Sequence, residues 1–438
     1  MKHNFPVVVL LLLLVQLACA QQPLRLGLQQ AIALASSPRG SAQVQLADAA
    51  VAAARARMAQ ARANRYPLLT ASVSESNLTR NLSAEGFNFP TGVPNFTIPA
   101  EVGPFNVFDG RVEMTQTVFD LSAMRRSRAI GAAFDAATAD AETNREAAAG
   151  QAAHDYLVAL AADERVQTAQ AGVDQAEAMV TSAQHDVDTG KAADTEMTSA
   201  QLDLAARRRR LSGAQNDAAL ARLQLLDDLG LDFNTALELT DKLTFRSGDD
   251  VDLAAEIALA LRTRAELKTA AGRREQANDE AGAVHAGLLP TVTAYGDVGP
   301  LNSVITHTVG ISARITVFDG GRRRAQEMES DAAVRQYEIQ QRDLKRQIDL
   351  EVRRAYADLE SAASQAQECD AARAFSEDEL ASAQRRYANG VAGNAELVDA
   401  ETRESRAHED QVQAYFNWNQ ARLEMAQATG TAESFEMK

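Results

Sequence analysis

No disulfide can form within the mature chain. Only two cysteines occur in 438 residues, and one of them, Cys19, lies in a segment that reads as a leader. Cys369 is left alone, which removes the disulfide-stapled secreted scaffolds; a small side chain packed on a helix accounts for it. Long apolar runs are also missing. After residue 20 no stretch is apolar enough for a transmembrane helix. A cationic excess is absent: 44 Lys and Arg face 60 Asp and Glu, for a net charge of −16. That balance suits no nucleic acid, whose backbone demands cationic partners. Six histidines (3, 154, 185, 285, 307 and 408) show no ligand spacing, so no metal is expected. There is no nucleophile–base arrangement, phosphate loop or pair of catalytic acids, so neither an enzyme nor a cofactor is expected.

What is present begins with "MKHNFPVVVLLLLLVQLACA". A basic start, an apolar run from Val7 to Val15, and Ala18 and Ala20 before the cut describe a secretory signal peptide over residues 1–20, removed before Gln21. Cys19 raises the alternative of lipid attachment, to which Gln16 is a poor fit. Losing Lys2 with the leader moves the net charge to −17.

The remaining chain repeats itself. Thr-Val-Phe-Asp occurs at 117–120 and again at 316–319, each time followed by a basic stretch. Tyr156 and Tyr356 stand 200 residues apart, as do "TGKAADTEMTSAQ" from Thr189 and "NGVAGNAELVDAE" from Asn389. "RYPLLTASVS" (65–74) resembles "GLLPTVTAYG" (287–296). Each half therefore reads as short helix, second helix, strand, loop, strand, Phe-Asp, long helix, glycine turn and helix.

Alternation supplies the strands. In "ITHTVGISARITVFD", Ile305, Val309, Ile311, Ala313, Ile315 and Val317 share one face, and Thr306, Thr308, Ser312, Arg314 and Thr316 the other. A period of two places successive side chains on opposite faces of a strand. The first half alternates Val112, Met114 and Val118 with Arg111, Glu113, Thr115 and Thr117. The Phe-, Pro- and Gly-rich run from Gly86 to Gly110 reads as a loop.

Two segments, Leu121–Val187 and Arg322–Tyr387, lack proline, and the second lacks glycine as well. Each is long enough for a helix of roughly 100 Å. Gly190 and Gly390 close them as left-handed caps would, and Asp194 and Asn394 are suitable N-caps for the returning helices. The expected divisions are a first repeat over 21–228 (strands about 67–77 and 110–119, hairpin about 121–228 with its tip at 190), a mixed connector over 229–250 with a short strand at Ala236–Leu239, a second repeat over 251–430 (strands about 290–297 and 304–318, hairpin about 321–428 with its tip at 390), and a tail over 431–438.

Four strands cannot close a barrel, since even the smallest membrane barrels have about eight. An open sheet with an apolar face leaves edges that aggregate. Other copies of the chain must complete it, and helices of this length must then stand in the aqueous space beside the membrane. A periplasmic coiled-coil interaction or adaptor protein is the alternative; such proteins carry helical hairpins, but without two alternating strand pairs.

The order strand, strand, Phe-Asp, long helix occurring twice, the Tyr387-x-x-Gly390 tip and the acidic pattern after it resemble the TolC-like outer-membrane efflux proteins over nearly the whole mature length. The resemblance implies a mainly α fold with a membrane β-barrel portion: a homotrimer with a 12-stranded barrel in outer-membrane lipid over a 12-helix periplasmic tunnel. It implies a passive conduit for efflux or type I secretion, docked to a periplasmic adaptor protein and an inner-membrane transporter. It places Phe119 and Phe318 at the membrane interface, Gly190 and Gly390 at adaptor-contact tips, and Glu396 and Asp399 in acidic rings at the pore constriction. Tyr387, Thr195 and Glu196 match links that close the tunnel, whereas Ala392 stands where a linking arginine is expected. Without the resemblance, Glu396 and Asp399 would read as acids favoured by a helix N-terminus. The run "ARRRRL" (206–211) reads as a solvated, salt-bridged face, because four consecutive residues spread around a helix.

Overall fold

A computed structural model describes residues 23–87, 94, 98–190, 193–248, 251–389 and 391–437. The leader, with Cys19, and Gly390 lie outside the described residues. In chain order the elements are β1 (Leu24–Leu26), α1 (Leu28–Ala35), α2 (Ala42–Ala63), β2 (Leu68–Asn81), β3 (Glu101–Phe119), α3 (Leu121–Asp188), α4 (Asp194–Asp228), β4 (Leu237–Leu239), α5 (Leu253–Thr263), α6 (Ala265–His285), β5 (Thr291–Leu301), β6 (Val304–Arg314), α7 (Arg322–Ala388) and α8 (Asn394–Thr429). The helix–helix–strand–strand–helix–helix order occurs twice, as the internal repeat requires. The chain divides into two units.

One unit, Val51–Ala137 with Ala270–Gln340, carries an antiparallel sheet in the order β2-β3-β5-β6. Its register makes the two faces explicit. Thr70, Glu113, Asp297 and Thr308 form one row across all four strands, and Leu69, Met114, Gly296 and Val309 form a neighbouring row on the opposite face. Because one-residue steps reverse the face, polar and apolar rows alternate down the sheet. Val309 is 86% exposed and Ile311 76%, so the apolar face is uncovered within one chain. On the polar face Arg111 bridges two acids, with Nε to Asp109 Oδ1 at 2.6 Å and Nη1 to Asp297 Oδ2 at 2.9 Å.

The strands differ in extent from the sequence reading. β3 begins at Glu101, inside the stretch read as a loop. Above Asp109 it pairs with β2 alone, since its contact with β5 starts at Asp109 opposite Leu301. Its ladder with β2 is irregular there, Thr79 standing opposite both Gly103 and Pro104 between the pairs Leu78–Phe105 and Arg80–Val102, and a bulge accommodates a proline. β5 and β6 are joined by two residues, with Asn302 at φ 52°, where the expected strands left 298–303 as the connection. β6 ends at Arg314, before the alternation in the sequence does, and Ile315–Phe318 continue outside any ladder.

The other unit, comprising residues up to Ala50, Thr138–Thr269 and from Gln341 onward, holds the main core. Leu26, Ile32, Tyr156, Leu157, Leu225 and Leu423 are its largest fully buried side chains. The α3 seam is alanine: Ala149, Ala152, Ala153 and Ala159 are completely buried, and small side chains let helices approach closely. A second cluster joins Ala260 of α5, Ile348 and Val352 of α7, and Met425 and Ala428 of α8. β1 pairs in parallel with β4, Leu24 opposite Leu237, so the connector is tied to the chain's start. The expected N-caps move by one: Ala193 and Gly393 occupy the cap positions without side-chain bonds, and Asp194 and Asn394 are the first helical residues. Asp194 still gains from the helix dipole in the first turn.

Candidate functional site

The two hairpin tips of the second unit carry most of the residues singled out in the sequence. At the first tip, Gly190 has φ 72°, and its N–H donates to Val187 O at 3.0 Å. A side chain at Gly190 would meet nothing within 4 Å, so glycine is needed there for its backbone and not for space. Thr195 and Glu196 are exposed in the first turn of α4. At the second tip, Val391 N–H donates to Arg386 O at 2.9 Å, and the Val391 side chain is 70% exposed.

Glu396 and Asp399 share a face of α8, three residues apart. Neither stands alone. Glu396 Oε1 lies 3.1 Å from Arg386 Nη1 across the turn, and Asp399 Oδ2 lies 2.7 Å from Arg403 Nη1 one helical turn on. Arg403 also reaches Glu379 of α7 at 3.0 Å. All five side chains are between two-fifths and two-thirds exposed, so these pairs trim the local negative field more than they stabilise the fold.

Tyr387 and Glu196 come together in one place: both line a cavity of about 340 Å³ between the two hairpins, with Asp203, Leu397, Val398 and Glu401. Thr195 does not line it. Glu401 is the residue the sequence reading missed. It is 5% exposed, and burial pushes its carboxyl above the usual range, against the opposing pull of Gln175 and Arg207. Arg207 Nη2 sits 3.9 Å from Glu401 Oε2, while its Nε holds Asp203 Oδ2 at 2.8 Å. The first arginine of the 207–210 run is therefore an inter-hairpin link with an 11% exposed side chain, and not part of a solvated face. Arg208 follows the expected pattern, paired with exposed Glu177 at 2.7 Å. Nothing in the sequence marks Glu401, since its burial depends on which face of α8 meets α4.

In the sheet-bearing unit, Phe119 is 41% exposed at the end of β3 and Phe318 is 87% exposed after β6.

Each of the two alternating strand pairs, with its bare apolar face, leads into a very long helical hairpin. The family profile described as "Outer membrane efflux protein" matches residues 33–231 and 257–431, and the chain belongs to that family. Solved structures agree in fold. The Campylobacter jejuni CmeC outer membrane channel superimposes with a TM-score of 0.79 at 15% identity, covering 92% of this chain and 86% of that one. VceC from Vibrio cholerae gives 0.76 at 18%, covering 92% and 96%. The open-state MtrE channel of Neisseria gonorrhoeae gives 0.76 at 16%, covering 92% and 89%. A search of curated proteins finds no match to the sequence. The protein is an outer-membrane efflux channel with a periplasmic helical portion, and it is not an enzyme. The family implies a trimeric channel of a tripartite efflux system.

Proposed function

We propose that three copies of this chain close a 12-stranded barrel over a 12-helix tunnel, and that the tunnel mouth docks on a periplasmic adaptor and an inner-membrane transporter. One observation carries the reading: the sheet ends in two strands, β2 and β6, each with a single partner among the described residues. Their free edges, together with an uncovered apolar face, call for completion by further copies in lipid. The conduit is passive and serves tripartite efflux or type I secretion, the pump supplying energy and choice of cargo.

Within that assembly the tips at Gly190 and Gly390 meet the adaptor. Glu396 and Asp399 ring the periplasmic constriction, tempered by Arg386 and Arg403. Tyr387, Thr195 and Glu196 belong to the links that hold the tunnel closed, and the Arg207–Glu401 contact takes up part of the role that Ala392 leaves vacant. Phe119 and Phe318 mark the membrane interface, where aromatic side chains are favoured. Mass determination of the purified protein in detergent tests the assembly: three chains per particle are expected, and a stable monomer or dimer overturns it.

A further inference from the structure

Both copies of Thr-Val-Phe-Asp are followed by arginines, and the strand-to-helix junction alone does not require them. In an acidic chain, residues 120–128 hold Arg125, Arg126 and Arg128 against the single acid Asp120, and residues 319–325 hold Arg322, Arg323 and Arg324 against the single acid Asp319. The two acids are used locally. Asp120 Oδ1 accepts from Ala123 N at 2.9 Å, and Asp319 Oδ2 accepts from Arg323 N at 3.0 Å, so each caps its long helix. Arg125 is matched by Asp279 at 3.0 Å, and Arg323 by Glu327 at 3.6 Å. Arg126 and Arg322 line a cavity of about 460 Å³ that also contains Glu280 and Glu329.

Arg128 and Arg324 remain. Both are exposed, and neither has an acid within ion-pair distance among the described residues. Each sits one helical turn from an exposed methionine: Met124, 43% exposed, precedes Arg128 by four residues, and Met328, 66% exposed, follows Arg324 by four. Residues four apart lie on one face. Met124 and Arg324 are 200 residues apart, as are Arg128 and Met328. The two repeats thus place the same pair, one methionine and one arginine, on equivalent positions in exchanged order.

The location gives this pair a meaning. In an outer-membrane channel with periplasmic helices, α3 and α7 start at the periplasmic side of the membrane. Arg324 is the third residue of α7 and Arg128 the eighth of α3, about 3 and 10 Å along the axis from the first residue. The headgroup layer of one leaflet is about 5–8 Å thick. Helical side chains lean toward the N-terminus, here toward the membrane, and long arginines extend their guanidinium in that direction. Guanidinium forks match phosphate oxygens, and the two helix N-termini add positive potential.

We propose that Arg128 and Arg324, each with its neighbouring methionine, form a phospholipid-binding belt that holds anionic headgroups of the periplasmic leaflet of the outer membrane, the methionine meeting the glycerol and upper acyl region. The belt rests on the family placement of the sheet in the membrane, not on the closure of the tunnel.

Native mass spectrometry of the purified channel with phosphatidylglycerol or phosphatidylcholine tests this. The wild type is expected to retain phosphatidylglycerol roughly 25-fold more than phosphatidylcholine, and the preference is expected to fall by roughly fivefold in each of Arg128→Gln and Arg324→Gln and to near parity in the double variant. Arg128→Lys with Arg324→Lys is expected to keep most of it. Equal retention of the two lipids by the wild type, or an unchanged preference in the double glutamine variant, overturns the proposal. Displacement of lipid by millimolar inorganic phosphate overturns it in favour of a free-anion site. Loss of the oligomer in the glutamine variants would assign the arginines to subunit packing and also overturn it. Single-channel conductance of the same preparation reports separately on the channel reading.

Discussion

The Tyr156 hydroxyl, fully buried on α3, donates to Asp241 Oδ2 at 2.7 Å. The same oxygen accepts Leu28 N–H at 2.7 Å, and the hydroxyl also lies 3.0 Å from Leu26 O. One tyrosine therefore joins the long helix, the β1–α1 junction and the connector after β4. Burial, with Asp241 beside it, holds its proton on far above the ordinary phenol range. Tyr156→Phe keeps the ring's packing and removes the donor. It is expected to cost about 1–2 kcal/mol, read as a lower midpoint of thermal unfolding with unchanged helix content by circular dichroism. An unchanged midpoint would show that Leu28 and Thr240 satisfy the freed acceptors.

A second relationship titrates. Asp155, 7% exposed on α3, faces Asp228 at the end of α4. Burial, and then the hydrogen bond and charge of Asp155, push Asp228 up to about 7, with Asp227 adding to the rise and Gln151 opposing it. A carboxyl raised in the folded state contributes stability that is full below its ordinary value and is lost as pH rises through the folded one. Melting midpoints of the wild type are expected to fall from about pH 4 to about pH 7 and to level off above. Asp228→Asn, neutral throughout, is expected to flatten that fall. An equally steep decline in the variant would place the titrating group elsewhere.

The ion pairs at the second tip give opposed expectations for the pore. Replacing Glu396 and Asp399 together by alanine is expected to weaken cation selectivity and block by multivalent cations in bilayer recordings. Arg403→Ala frees both Asp399 and Glu379, so it is expected to strengthen both. If the two substitutions move selectivity in the same direction, these acids face away from the conduit.

Gly190→Val tests the tip. The left-handed backbone costs an ordinary L-residue about 1–2 kcal/mol, and the open space around Gly190 adds no clash. Export is expected to fail while the particle mass in detergent is kept. Loss of the assembled particle would assign Gly190 a folding role.

Much of this architecture is legible in the sequence, because its signals are periodic. Alternation from Ile305 to Ala313 and the proline-free runs before Gly190 and Gly390 are local properties of the chain. Duplication at a spacing of 200 then shows that the two halves share one plan. The upper part of β3 escaped because Pro104 and Gly103 speak for a loop, and the bulge opposite Thr79 that takes them into the strand leaves no mark in the sequence. Glu401, Arg207 and the arginine partners of Glu396 and Asp399 escaped for a different reason. Helical sequence reveals which residues share a face, but not which face meets the next helix, and in alanine-rich helices with charges all round the apolar stripe is too faint to decide. Tyr156 stood out as half of a repeated tyrosine pair, yet Tyr356 is only partly buried and donates instead to Glu360 at 2.9 Å. Equivalent positions in the repeat thus carry different duties.

The two single-partner strands at the margins of the sheet have a consequence for biogenesis. A newly exported chain travels through water toward its membrane with β2 and β6 open to any strand they meet, and with side chains such as Val309 and Ile311 uncovered. Its dwell time in that state sets a race between correct partners and promiscuous ones, and the losing outcome grows with the concentration of unassembled chains. Overproduction beyond the capacity of the insertion machinery and its escorts should therefore yield precipitate rather than surplus channel, and slower synthesis should recover more of the functional form than stronger promoters do.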